Sequence, residues 1–183
     1  TPRSLWLIIN RAAALDDAVR VAVETLRARG LPVEVRPTWE AGDATRLARD
    51  GIEAGFDVIV AVGGDGTVGE VVDGFSADAR GSALGILPFG TANDFASMFG
   101  LPEGSKDPLA SLEAIATSNA RPIDLGCVNA RRFINVATAG HGAEVTTTTS
   151  TAAKQLLGRF AYYFKGLASA LDITPFEVSV KGE

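Results

Sequence analysis

Asp57-Val58-Ile59-Val60-Ala61-Val62-Gly63-Gly64-Asp65-Gly66-Thr67-Val68-Gly69-Glu70 is the stretch that decides the fold. Asp57 to Val62 is a short apolar run rich in β-branched side chains, which suits a strand buried on both faces. It feeds directly into glycines, and Val68 to Phe75 then reads as a helix. A buried strand, a glycine turn and a helix in succession form half of a βαβ unit and imply a parallel sheet.

The same alternation extends in both directions. Leu5 to Ile9 is a second doubly buried strand, and Asp16 and Asp17 open a helix through Val19, Val23 and Leu26 that Gly30 stops. Pro32 to Trp39 alternates as a strand, and Asp43 is placed to cap a helix running through Leu47 and Ile52 to Gly55. Downstream, Ala83 to Leu87 reads as a strand, Ala92 to Met98 as a short helix, and Pro108 to Thr117 as a helix with proline at its start.

From Arg121 the pattern changes. Ile123 to Asn129 and Phe133 to Ala139 read as two strands joined by a tight Asn129-Ala130-Arg131-Arg132 link. A threonine-rich stretch, Thr146 to Thr151, leads to a helix with Leu156, Leu157, Phe160, Phe164, Leu167 and Leu171 on one stripe. Phe176 to Lys181 then alternates as a half-buried strand. The expected organisation is an α/β domain over residues 1–120 and an incomplete β-rich domain over 121–183. Thr at position 1, and Met98 as the only methionine, suggest a trimmed start.

Composition narrows the partners. The 183 residues are 46% hydrophobic and 21% charged, which suits a packed globular domain rather than a disordered chain. Net charge is −5, all of it carried by the first hundred residues, which argues against nucleic acid as a partner. The single cysteine, Cys127, excludes an intrachain disulfide and a cysteine zinc cage, and with no signal peptide the expected location is cytoplasmic. Cys127 itself is expected as a small buried residue within its strand.

The glycine turn is expected to hold an anion, because amides and a helix N-terminus face whatever approaches it. A simple tight turn is the other reading. A Walker A loop is excluded, since no Lys-Ser or Lys-Thr follows. Gly64-x-Gly66-x-x-Gly69 matches a dinucleotide fingerprint literally. However, Leu84 to Pro88 offers no acidic residue for a ribose, and the loop follows the third strand rather than the first. A second turn, Pro88-Phe89-Gly90-Thr91-Ala92-Asn93-Asp94-Phe95, also follows a buried strand and should face the same crevice.

The pair Gly63-Gly64-Asp65-Gly66-Thr67 and Gly90-Thr91-Ala92-Asn93-Asp94-Phe95 resembles the diacylglycerol-kinase catalytic domain. Thr38-Trp39-Glu40-Ala41-Gly42-Asp43-Ala44 and Phe133 to Thr138 are most similar to bacterial YegS-type lipid kinases. The resemblance implies a phosphofructokinase-like, doubly wound parallel sheet followed by the first part of a β-sandwich. It implies an ATP-dependent kinase acting on a hydroxyl of diacylglycerol, phosphatidylglycerol or a related glycerolipid, in phospholipid biosynthesis. Nucleotide contacts are implied for Thr38, for Gly64, Asp65, Gly66, Thr67, Val68, Gly69 and Glu70, and for Thr91. Asp65, Asp94 and Asp124 match positions that hold Mg²⁺ through water, although Asp124 reads equally well as a strand-end cap. The resemblance also implies that the general base and a structural Mg²⁺ site lie beyond residue 183, so that this chain alone has little activity.

Two alternatives stay open: a soluble-substrate kinase of the same superfamily, such as an NAD kinase, and a non-catalytic nucleotide-binding module. His141, without a partner histidine, reads as structural. The 153–171 helix reads as a core face, with peripheral contact at the inner membrane surface as its other use. Arg131 and Arg132 read as a solvated turn, and oligomeric state is left open.

Overall fold

The computed structural model describes residues 2–75, 81–104, 106–129 and 131–134. Four parallel strands form its sheet: β1 (Leu5–Ile9), β2 (Val33–Pro37), β3 (Val58–Gly63) and β4 (Ala83–Pro88), in the order β2-β1-β3-β4. The connections carry helices α1 (Arg11–Ala14) and α2 (Asp17–Ala28), then α3 (Asp43–Glu53), then α4 (Asp65–Gly74). After β4 come α5 (Asp94–Met98) and α6 (Pro108–Thr117). A two-stranded antiparallel ladder, β5 (Gly126–Val128) and β6 (Arg131–Phe133), follows. The α/β, parallel-sheet expectation is borne out.

Strand side chains alternate between two cores, as the pleat requires. Leu5, Leu7 and Ile9 of β1, with Val58, Val60 and Val62 of β3, face α2 and α6, where Val19, Val23, Leu26 and Leu112 complete one cluster. Trp6, Ile8, Ile59 and Ala61 face the other way, onto Leu47, Ala48 and Ile52 of α3 and Val68 and Val71 of α4. Each fully buried leucine, isoleucine or valine contributes about 1.5–3 kcal/mol from water exclusion. Because both faces are covered, β1 and β3 are apolar throughout, whereas the edge strand β2 alternates Val33 and Val35 with Glu34 and Arg36.

Local chemistry sets the helix ends. The Asp16 carboxylate accepts from Ala18 N and Val19 N to cap α2, and Asp107 accepts from Ala110 N to cap α6, with Pro108 at its first position. Asp43 departs from the expected cap. The cap of α3 is Gly42, in the left-handed region at φ +86°, and Asp43 is the first helical residue. Its carboxylate turns back to accept from Trp39 N at 2.8 Å and Glu40 N at 3.1 Å, closing the loop ahead of the helix.

The hairpin is tighter than the sequence reading. Arg131 and Arg132 lie within β6, so only positions 129 and 130 join the strands, with Asn129 at φ +50°. Cys127 pairs with Arg132 in this ladder, but its side chain is exposed. Two strands alone cannot enclose it. Arg132 N donates to Asp73 Oδ1 at 3.0 Å, which ties the hairpin to α4. His141, the 146–151 threonine stretch, the 153–171 helix, the 176–181 strand and most of the proposed 121–183 domain lie outside the described residues.

Candidate functional site

The order β2-β1-β3-β4 places a topological switch between β1 and β3. The connection leaving β1 passes to the α2 side of the sheet, and the one leaving β3 passes to the α4 side. Ligands of open α/β sheets bind outside the carboxyl ends of the strands at such a point. Asn10 and Arg11 follow β1 there, Gly64 and Asp65 follow β3, and Thr38 follows β2.

The glycine turn passes into α4 almost at once. Gly64 is the cap residue, and no side chain satisfies the helix start. The first intrahelical bond is Val68 N to Gly64 O at 3.0 Å, so the amides of Asp65, Gly66 and Thr67 have no partner within the helix. They form three donors at the positive end of the helix dipole. The helix therefore begins three residues earlier than hydrophobic periodicity indicates, in a Gly-rich segment of low helix propensity.

Close packing holds the second turn against the first. A methyl on Gly64 would come 3.2 Å from Gly90 Cα, and one on Gly63 would come 2.4 Å from Thr67 Oγ1 and 3.0 Å from Asn10 Nδ2. Phe89 N donates to Gly63 O at 2.8 Å. The Asp65 carboxylate spans the two turns, with Oδ2 accepting from Asp94 N and Oδ1 from Phe95 N, both at 3.1 Å. Asp65 thus supplies the cap that α5 lacks locally, since its own cap residue, Asn93, sits at φ +51° and makes no capping bond. Asn93 Oδ1 is buried and unpartnered among the described residues.

Beside these turns opens a cleft of about 230 Å³ lined by Arg11, Thr38, Trp39, Glu40, Thr67 and Glu70, among others. It is smaller than the roughly 300–1,000 Å³ that encloses a whole drug-sized ligand, so it can grip only part of one. Glu70 Oε2 accepts from Gly42 N at 3.1 Å, and Thr38 N donates to Ile9 O at 2.9 Å, fixing two of its walls. The Asp43 carboxyl, which locks the Trp39 loop, is lowered to about 2, first by the Trp39 amide, then by the Arg46 side chain and the Glu40 amide.

Thr38, Thr67 and Glu70 meet in this cleft, and Gly64, Asp65 and Gly66 lie at the adjoining helix start. Thr91 sits exposed in the turn that abuts Gly64, outside the cleft lining. The Val68 amide donates to Gly64 O within α4, and its side chain is buried. Asp65 and Asp94 are brought together, whereas no hydrogen bond or ion pair among the described residues joins Asp124 to either. No three His, Cys, Asp or Glu side chains among the described residues form a group able to hold a metal ion. A triphosphate-borne Mg²⁺ needs only one or two protein carboxylates. Among the described residues each Asp65 oxygen accepts a single amide, which leaves lone pairs for a metal-bound water, so the donor set fits such an ion.

Arg11, Trp39 and Glu40 line the cleft, although the sequence reading gave them no site role. Their signal was positional: they lie just past the carboxyl ends of β1 and β2, at the rim where the glycine turn also lies.

Comparison with known proteins agrees with this geometry. The family model for the diacylglycerol kinase catalytic domain matches residues 4–128. A protein of Chromohalobacter salexigens named "Probable lipid kinase YegS-like" is 43% identical over 174 residues, covering 94% of this chain and 55% of that protein. One of the same name from Pseudomonas putida is 41% identical, covering 98% of this chain and 60% of its own length. A solved diacylglycerol kinase of Bacillus anthracis superposes with a TM-score of 0.65 at 26% identity, covering 90% of this chain and 54% of that one. The chain therefore spans a little over half the length of these relatives.

Proposed function

The chain belongs to the diacylglycerol kinase catalytic domain family, and on that premise we propose that the protein is an ATP-dependent lipid kinase. It moves the γ-phosphate of ATP to a hydroxyl of diacylglycerol, phosphatidylglycerol or a related glycerolipid. The observation that carries this reading is the α4 start, where three amides without a partner among the described residues lie at a switch point, beside a second turn bound to it through Asp65.

In this reading the amides of Asp65, Gly66 and Thr67 donate to phosphate oxygens, joined by the Thr67 hydroxyl. Gly64 and Gly66, without Cβ atoms, let the phosphates approach the backbone. Arg11 supplies the cationic side chain of the cleft, and Thr38 and Glu70 present hydroxyl and carboxylate groups toward the sugar. Thr91 borders the phosphates from the second turn. Asp65 and Asp94 would hold Mg²⁺ through its waters. When bound, that ion neutralises phosphate charge. The division into domains at about residue 120 and the place of Asp124 in the metal's shell belong to the same proposal.

Phosphoryl transfer asks chiefly for positioning and charge stabilisation. The lipid hydroxyl oxygen bonds to the γ-phosphorus as the bond to the β–γ bridging oxygen breaks. The hydroxyl proton passes to a carboxylate base, and ADP leaves. No helix among the described residues is long and apolar enough to cross a membrane; the contact proposed with a bilayer is peripheral.

The test is transfer by the full-length protein from γ-labelled ATP with Mg²⁺, offered mixed glycerolipids in one arm and NAD in another. Label in the lipid extract is expected. Label in the NAD product, or in neither arm, would overturn the reading.

A further inference from the structure

Trp39 and Trp6 are treated in opposite ways. Trp6 is 6% exposed, edge-on to Phe56 and covered by the Arg36 guanidinium, as a tryptophan usually is. Trp39 is 95% exposed, yet its backbone is held in place. Its amide donates to Asp43 Oδ2 at 2.8 Å, and the neighbouring Thr38 amide to Ile9 O at 2.9 Å. Asp43 is in turn fixed by Arg46 at 2.8 Å. A large exposed indole carried on a hydrogen-bonded loop offers its flat face to a planar partner.

Its surroundings select that partner. The cleft that Trp39 lines also holds Arg11, Thr38, Glu40, Thr67 and Glu70 and leads back to the α4 start. Guanidinium, hydroxyl and carboxylate neighbours do not suit an acyl chain. They suit a nucleotide, with its phosphates at one end of the cleft and its base at the other.

Resting on the kinase reading above, we propose that Trp39 is the nucleobase platform of the site, stacking its indole on the base of the bound nucleotide. A base on an aromatic ring gains enough to change affinity by about tenfold or more. The cleft then grips sugar and phosphates, while the base is held at its mouth.

The experiment uses the full-length protein and two probes, Mg-ATP and inorganic tripolyphosphate with Mg²⁺, titrated by calorimetry and by tryptophan emission. Trp39→Ala is expected to weaken ATP about tenfold or more and leave tripolyphosphate unchanged. Trp39→Phe should recover most of the loss. ATP should quench emission in the wild type, and Trp39→Ala should abolish that quench. Unchanged ATP affinity in Trp39→Ala would overturn the inference. So would equal losses for both probes. If the wild type bound neither probe, the phosphate-site reading would fall and this one with it. If it bound tripolyphosphate and ATP equally, only the role of Trp39 would fall.

Discussion

Gly90 lies so close to Gly64 that a methyl group on its Cα would come within 2.5 Å of the Gly64 Cα. The neighbour is backbone and cannot move aside alone, so Gly90→Ala should separate the two turns. A loss of about 1–3 kcal/mol is expected from overpacking, read by urea denaturation, together with loss of ATP binding.

Gly66→Ala should behave differently. A methyl there meets nothing within 4 Å, and the position is helical. Alanine is favoured over glycine in a helix by about 1 kcal/mol, so the melting temperature should hold or rise. Affinity for ATP should nevertheless fall, because the methyl occupies the space the phosphates would take. A variant that melts no lower and still binds ATP normally would remove Gly66 from the site.

Asp65 has a structural duty as well as its proposed one. Asp65→Ala leaves the amides of Asp94 and Phe95 without their acceptor and should cost about 1–2 kcal/mol. Asp65→Asn keeps one acceptor oxygen and should cost less, while transfer to lipid drops by orders of magnitude. Comparable turnover in Asp65→Asn and wild type would confine Asp65 to capping.

Asp43 gives a pH dependence with a definite sign. Its carboxyl is held at about 2, below the usual 3.8, so the folded state prefers it ionised. That contribution is present above about pH 4 and is lost as pH falls toward 2. A carboxyl titration by NMR should give the low midpoint, and the protection of the Trp39 and Glu40 amides, taken relative to an unstructured chain at the same pH, should fall over the same interval. Asp43→Ala should remove that protection at every pH. Because the pair with Arg46 is solvent-facing, salt should weaken its part of the effect.

Asp73→Ala should release the β5–β6 hairpin from α4. The Arg132 amide loses its acceptor, and the Arg131 guanidinium loses a partner now 3.5 Å away. Faster hydrogen exchange at Arg132 is expected, with no change in β1 or β3. Unchanged exchange at Arg132 would place the hairpin's support elsewhere.

Much of the scaffold was legible from local pattern. Leu5 to Ile9 and Val58 to Val62 could be read because strands covered on both faces are apolar at every position. Pro108 to Thr117 could be read because proline marks a first turn, and the pair of glycine turns because each follows such a strand. Helix α1 was missed because four residues carry no periodicity, and its cap, the Asn10 side chain accepting from Ala13 N, is a single residue's contribution.

The amino-acid order thus determined the elements, their sequence along the chain and the family to which they belong, since these follow from nearest-neighbour stereochemistry and the spacing of apolar side chains. Only the tertiary structure decided that Asp65 reaches α5, 29 residues away, to close its first turn. Packing likewise brought Arg11, Thr38, Trp39 and Thr67 into one cleft. Those outcomes depend on which strand ends become neighbours in the sheet, and strand order is set by burying both faces at once, a condition no local segment contains.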